Sequence, residues 1–162
     1  MKPTEILQRL REFYSVKAAL RRRHEAAARL VGQYDINNTY QYIIAREDQH
    51  LSWVADAITG MEGAVPDIPQ AEPVQAGKGE AGLRALASDD GERLGRFVSD
   101  WRGRISGITN ARHKLMLDLV LGETLEHARL FNQAGTGRLD LLGRRTGGER
   151  VPGSVLATRW VE

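Results

Sequence analysis

Ile43-Ile44-Ala45-Arg46-Glu47-Asp48-Gln49-His50-Leu51-Ser52-Trp53-Val54 is the stretch on which the fold turns. Its apolar pattern continues outward through Ile36 and Tyr40 on one side, and Ala57 and Met61 on the other, at steps of three and four. Such positions share one face of a helix. Glu47 and His50 stand on that face, where aliphatic side chains belong. A second segment repeats the arrangement with Met116, Val120, Glu123, His127, Leu130 and Ala134. Burying a carboxylate costs several kcal/mol unless a partner compensates it. Helical bundles that accept this cost twice, with imidazoles alongside, commonly hold metal there.

Two further helices complete the pattern. Helix 1 is expected over residues 4–32, with Ile6, Leu10, Phe13, Leu20, Ala27 and Val31 on its apolar face and Lys17 and His24 among them. Residues 33–35 make a loop short enough to set helices 1 and 2 antiparallel. Helix 2 ends near Gly60, and Pro66, Pro69 and Pro73 then exclude a helix over residues 62–79. Eighteen extended residues span up to ~60 Å, enough to carry the chain the length of a bundle. Helix 3 begins around Leu83 and Leu86, is expected to break at Ser88-Asp89-Asp90-Gly91, and resumes through Leu94, Phe97, Trp101, Ile105 and Ile108. Helix 4 opens near Thr109 or Asn110 and runs to about Ala134. The expected fold is all-α: an antiparallel four-helix bundle over residues 1–137, with a long crossover between helices 2 and 3. A Gly/Arg-rich tail over 138–162 would form an irregular C-terminal arm, with a docked segment or short strand at 154–161.

Composition narrows the chemistry. A chain of 162 residues suits one domain with a substantial core. It has no cysteine, which excludes disulfides and thiolate metal sites. No run approaches the ~18 apolar residues of a membrane span, so a cytoplasmic protein without a membrane partner is expected. The net charge of +2 is too small to imply nucleic acid. Arg21-Arg22-Arg23 fans around its helix rather than forming a stripe, and suits solvent or a partner's acids better.

The level of the candidate groups can be counted. With a full-length crossover, helices 2 and 4 run antiparallel. Glu47 lies fourteen residues before Met61, and Glu123 fourteen after Thr109, so both fall at one height. His24 and Glu25 of helix 1 come close to the same height, His24 aimed more directly at the core. Carboxylates and imidazoles together suit iron, manganese or zinc.

The run Ile44–Trp53 resembles the second helix of ferritin-like and rubrerythrin-like proteins, where a Glu-x-x-His pair precedes a crossover bearing Gly and Pro. Gly122-Glu123-Thr124-Leu125-Glu126-His127 resembles their fourth helix, although Glu123 and His127 are four apart and Thr124 takes the matching position. The resemblance implies a centre of one or two Fe or Mn ions, ligated by Glu47, His50, Glu123 and His127, with Glu25 or His24 from helix 1 and Glu126 in reserve. It also implies iron oxidation, O₂ or peroxide chemistry. A homo-oligomer, dimeric or larger, is expected as well. The family's helix 3 glutamate has no counterpart among Leu94, Gly95, Arg96 and Phe97.

Two alternatives stand beside it. One is a non-enzymatic, metal-free interaction module, self-associating or binding a protein through helix 1 and the C-terminal arm, with Glu47 neutralised by Lys17 or Arg46. The other is a DinB-like metal-binding bundle, whose three-histidine pattern is missing here.

Overall fold

The computed structural model describes residues 1–142. The expected arm at 154–161 lies outside the described residues. Within them the protein is four helices without strands: α1 (Pro3–Ala28), α2 (Tyr34–Gly60), α3 (Gly79–Ser106) and α4 (Ala111–Gly135).

Local chemistry sets most of the ends. Pro3 occupies the first turn of α1, and the Glu5 carboxylate accepts the Lys2 backbone N–H at 2.8 Å. The Gln33 side chain accepts from Ile36 N at 2.7 Å to start α2, and Asn110 Oδ1 accepts from His113 N at 3.1 Å to start α4. Helix α1 stops earlier than its apolar pattern suggested. Asn37 Nδ2 donates to Ala28 O and Val31 O, at 3.0 and 3.1 Å, and holds those carbonyls in a closing turn.

Helix α3 corrects an expectation. It runs unbroken through residues 88–91, where turn chemistry predicted an interruption. The Asp89 and Asp90 carboxylates do not fold back on their own backbone, because other side chains claim them. Arg23 of α1 donates to both at 2.6 Å, Arg93 donates to Asp89, and the Tyr40 hydroxyl donates to Asp90. Gly91 is buried against α4 and lacks room for a side chain: an added Cβ would meet Asn132 Oδ1 at 2.2 Å.

The crossover follows the length of α1. Pro66 lies with Thr4, Leu7 and Arg11 near its start, residues 68–71 beside Arg22 and Arg29, and residues 74–77 beside Leu30. The chain therefore returns to the end of the bundle where α2 began. Helix α3 runs beside α4, and α2 and α4 are antiparallel, as expected. Among the described residues no helix is long and apolar enough to cross a membrane.

The core falls into two apolar layers. One holds Leu10, Phe13, Val54, Ile58, Phe97, Trp101 and Leu117. The other holds Ala27, Ile36, Tyr40, Ile43, Leu94 and Phe131. Between them lies a belt of buried polar side chains: Lys17 and His24 from α1, Glu47 and His50 from α2, Thr124 and His127 from α4. At this height α3 supplies Leu94 and Phe97, so the belt is polar on three sides and apolar on the fourth.

Candidate functional site

The belt is built from helical phase. Lys17 and His24 are seven residues apart, two turns, and so lie one above the other on α1. Glu47 and His50, three apart on α2, face them, and so do Thr124 and His127 on α4. Apolar neighbours above and below hold all six in the interior.

Two hydrogen-bonded groups result. In the first, Glu47 is wholly enclosed and uses both oxygens: Lys17 Nζ donates to Oε1 at 3.0 Å, and His24 Nδ1 donates to Oε2 at 2.8 Å. Lys17 also donates to Thr124 Oγ1 at 3.1 Å, and that hydroxyl donates in turn to Val120 O at 2.7 Å. Burial alone would raise the Glu47 pKa, but His24 and Lys17 outweigh it and hold the carboxyl at about 2. The charge remains because its neighbours are donors.

In the second group, Glu123 lies at the edge of the belt, 29% exposed. Arg46 grips it through both oxygens at 2.9–3.1 Å, and His50 Nε2 donates to Oε2 at 2.7 Å. His127 stacks on His50, ring centroids 5.9 Å apart and planes within 21°. Tyr42 covers His127 from outside, edge-on at 6.0 Å. Burial, aided by the Lys17 charge, lowers the pKa of His50 and takes His127 to about 4, so both rings are neutral at pH 7.

Seven residues were expected as ligands, and the structure sorts them into three places. His24 and Glu47 meet in the first group, and His50 and Glu123 in the second, with His127 stacked beside it. Glu25 and Glu126 do not join. Glu25 sits at the surface among Arg21, Arg22 and Arg29, and Glu126 pairs with Arg129. Lys17 and Thr124 belong to the belt although neither was expected as a site residue. The available signal was Lys17 standing on an apolar stripe, where an ammonium needs an acid. Beside the belt, Arg23, Asp90 and Tyr40 form a further buried network, with Asp90 wholly enclosed. Burial and the Asp90 carboxylate push the Tyr40 hydroxyl far above its ordinary pKa.

The resemblance implied a metal centre among these side chains. Among the described residues no group of three or more His, Asp or Glu side chains is placed to hold an ion. The physical reason is visible at Glu47, where an ammonium and an imidazole already take both oxygens. In this arrangement Glu47 has no free oxygen to offer a metal.

No family model, curated protein or solved structure matches the chain. The belt offers hydrogen-bonded charge without an exposed nucleophile, since Lys17, His24, Glu47, His50 and Thr124 are all fully shielded from solvent.

Proposed function

We propose that this protein is a metal-independent helical interaction module, a ferritin-like bundle whose interior cation is its own Lys17. One observation carries the reading: the Lys17 ammonium lies within hydrogen-bond distance of both Glu47 and Thr124 inside the bundle. A divalent ion at that place would have to displace a cation already paired with the carboxylate. Glu123 has its own cation in Arg46, so it brings no spare negative charge. Enclosed groups of this kind give a substrate nothing to touch, which favours binding through the surface over catalysis within.

A second reading is favoured by a different observation. His24 and His50 each spend one ring N–H on a carboxylate, which leaves His24 Nε2 and His50 Nδ1 buried and unpartnered; His127 Nδ1 is unpartnered too. Imidazole lone pairs suit iron or manganese. With Lys17 turned away, Glu47, His24, His50 and His127 would hold the ion, which when bound would supply redox or Lewis-acid chemistry for iron oxidation or peroxide handling. The apolar layers above and below would keep water from it.

Metal analysis of protein purified from cells grown with added iron and manganese separates the two. The interaction module predicts far less than one equivalent per chain. One or two equivalents, lost in Glu47→Ala, would establish the metal reading instead.

A further inference from the structure

The face of α4 that points away from the core carries Arg112, Leu115, Leu119, Gly122 and Glu126, all exposed. Leu115 is 69% exposed and Leu119 54%, the first being the most exposed large apolar side chain among the described residues. Single exposed leucines are ordinary, but two on adjacent turns of one helix, with a glycine on the next, make a continuous strip. Gly122 has nothing within 4 Å of where a Cβ would stand, so the surface there is open and carries no side chain.

The charges bounding the strip are placed symmetrically. Arg112 precedes Leu119 by seven residues and Glu126 follows it by seven. Seven residues are two turns, about 10.5 Å, returning to nearly the same face. Arg112 has no ion-pair partner among the described residues, and Glu126 meets only Arg129, with both side chains 63% exposed. A two-fold axis through Leu119 therefore sets Arg112 of one copy against Glu126 of the other, and does so twice. The same operation lays Leu115 beside the bare backbone of Gly122. A parallel arrangement in register would instead oppose arginine to arginine and glutamate to glutamate.

We propose that this face of α4 is an isologous interface on which a second copy of this chain docks antiparallel, centred on Leu119. The proposal deepens the interaction-module reading by naming its partner, and rests on that reading for its functional meaning. The strip is small beside the roughly 1,200–2,000 Å² of a stable interface, so the pairing is a reversible one that follows protein concentration.

Sedimentation equilibrium on the full chain tests it. Wild-type protein is expected to shift from monomer to dimer with rising concentration, and Leu119→Glu to remain monomeric while melting like wild type. Arg112→Glu alone and Glu126→Arg alone each place like charges across the axis, so each is expected to dimerise at least tenfold more weakly. Mixed together, these two variants are complementary at both contacts and should recover the wild-type association. Wild-type protein that stays monomeric, Leu119→Glu that dimerises normally, or a mixture that gains nothing would each overturn the proposal. Metal content distinguishes its failure from that of the broader reading: a metal-free monomer defeats only this interface, and a dimer carrying iron defeats only the metal-independent module.

Discussion

Lys17 and Glu47 come from different helices, thirty residues apart, and meet at 3.0 Å with neither side chain exposed. Removing two charges from water costs several kcal/mol each, which their attraction offsets only if the remaining hydrogen bonds are satisfied. Here the second carboxylate oxygen accepts from His24, and the ammonium has a second acceptor in Thr124. The pair is therefore costly to break and replaceable only as a unit.

Stability should fall steadily in acid. His127 titrates near 4 in the folded protein against 6.5 as its ordinary value, and Glu47 near 2 against 4.5. Both folded pKa values are depressed, so in each window the unfolded chain binds the extra proton. The stability linked to His127 is complete above pH 6.5 and is lost as pH falls to 4; that linked to Glu47 is lost from 4.5 down to 2. His50 acts in the same direction as His127. The His127 contribution is on the order of 3 kcal/mol. Urea unfolding at a series of pH values should show this loss, and His127→Gln should flatten the upper part of the curve. A stability profile level between neutrality and pH 4.5 would contradict the neutral, buried imidazole.

The Arg23–Asp90–Tyr40 network should respond unequally to truncation. Tyr40→Phe removes one hydrogen bond to Asp90 and leaves Arg23 paired, so it should cost about 1 kcal/mol. Asp90→Ala strips Arg23 Nε and the Tyr40 hydroxyl of their partner in the interior and should cost about 3 kcal/mol, with Asp89 retaining part of the Arg23 charge. Equal losses in denaturant unfolding would mean that Arg23 does not depend on Asp90.

Two glycines on α3 should give opposite results with one substitution. Gly91→Ala drives a Cβ into the Asn132 side-chain amide, which must turn away, and to 3.1 Å from Ala128 O, which must yield by a few tenths of an ångström; a loss of about 1–3 kcal/mol is expected. Gly95→Ala meets nothing within 4 Å and should stabilise the helix by up to ~1 kcal/mol. Thermal melts of the two variants check both signs at once.

Much of this was legible in the sequence, and the exceptions share a cause. Helices α2 and α4 followed directly from their three-four spacing, with Asn110 capping the second, because one buried face and a local cap determine such segments. The prolines at 66, 69 and 73 fixed the crossover equally well. Ser88-Asp89-Asp90-Gly91 misled because its turn chemistry is local, whereas Arg23 and Tyr40, which recruit those carboxylates into a continuous helix, lie far off in sequence. The belt divides in the same way. Spacing placed Glu47, His50 and His127 inside, but the cation that neutralises Glu47 depends on the reach of long side chains. Lys17 and Arg46 were both candidates, and the phase of α2 sends Arg46 to Glu123 instead.

The central claim, that Lys17 is the cation of the Glu47 carboxylate, is tested most directly by a double-mutant cycle. Lys17→Met, Glu47→Leu and the combined variant would be unfolded in urea, with a chelator and again with Mn²⁺. Each single change is expected to cost about 3–5 kcal/mol, the combined variant far less than their sum, and added metal to alter nothing. Additive losses, or a wild-type protein stabilised by Mn²⁺ through Glu47, would contradict it.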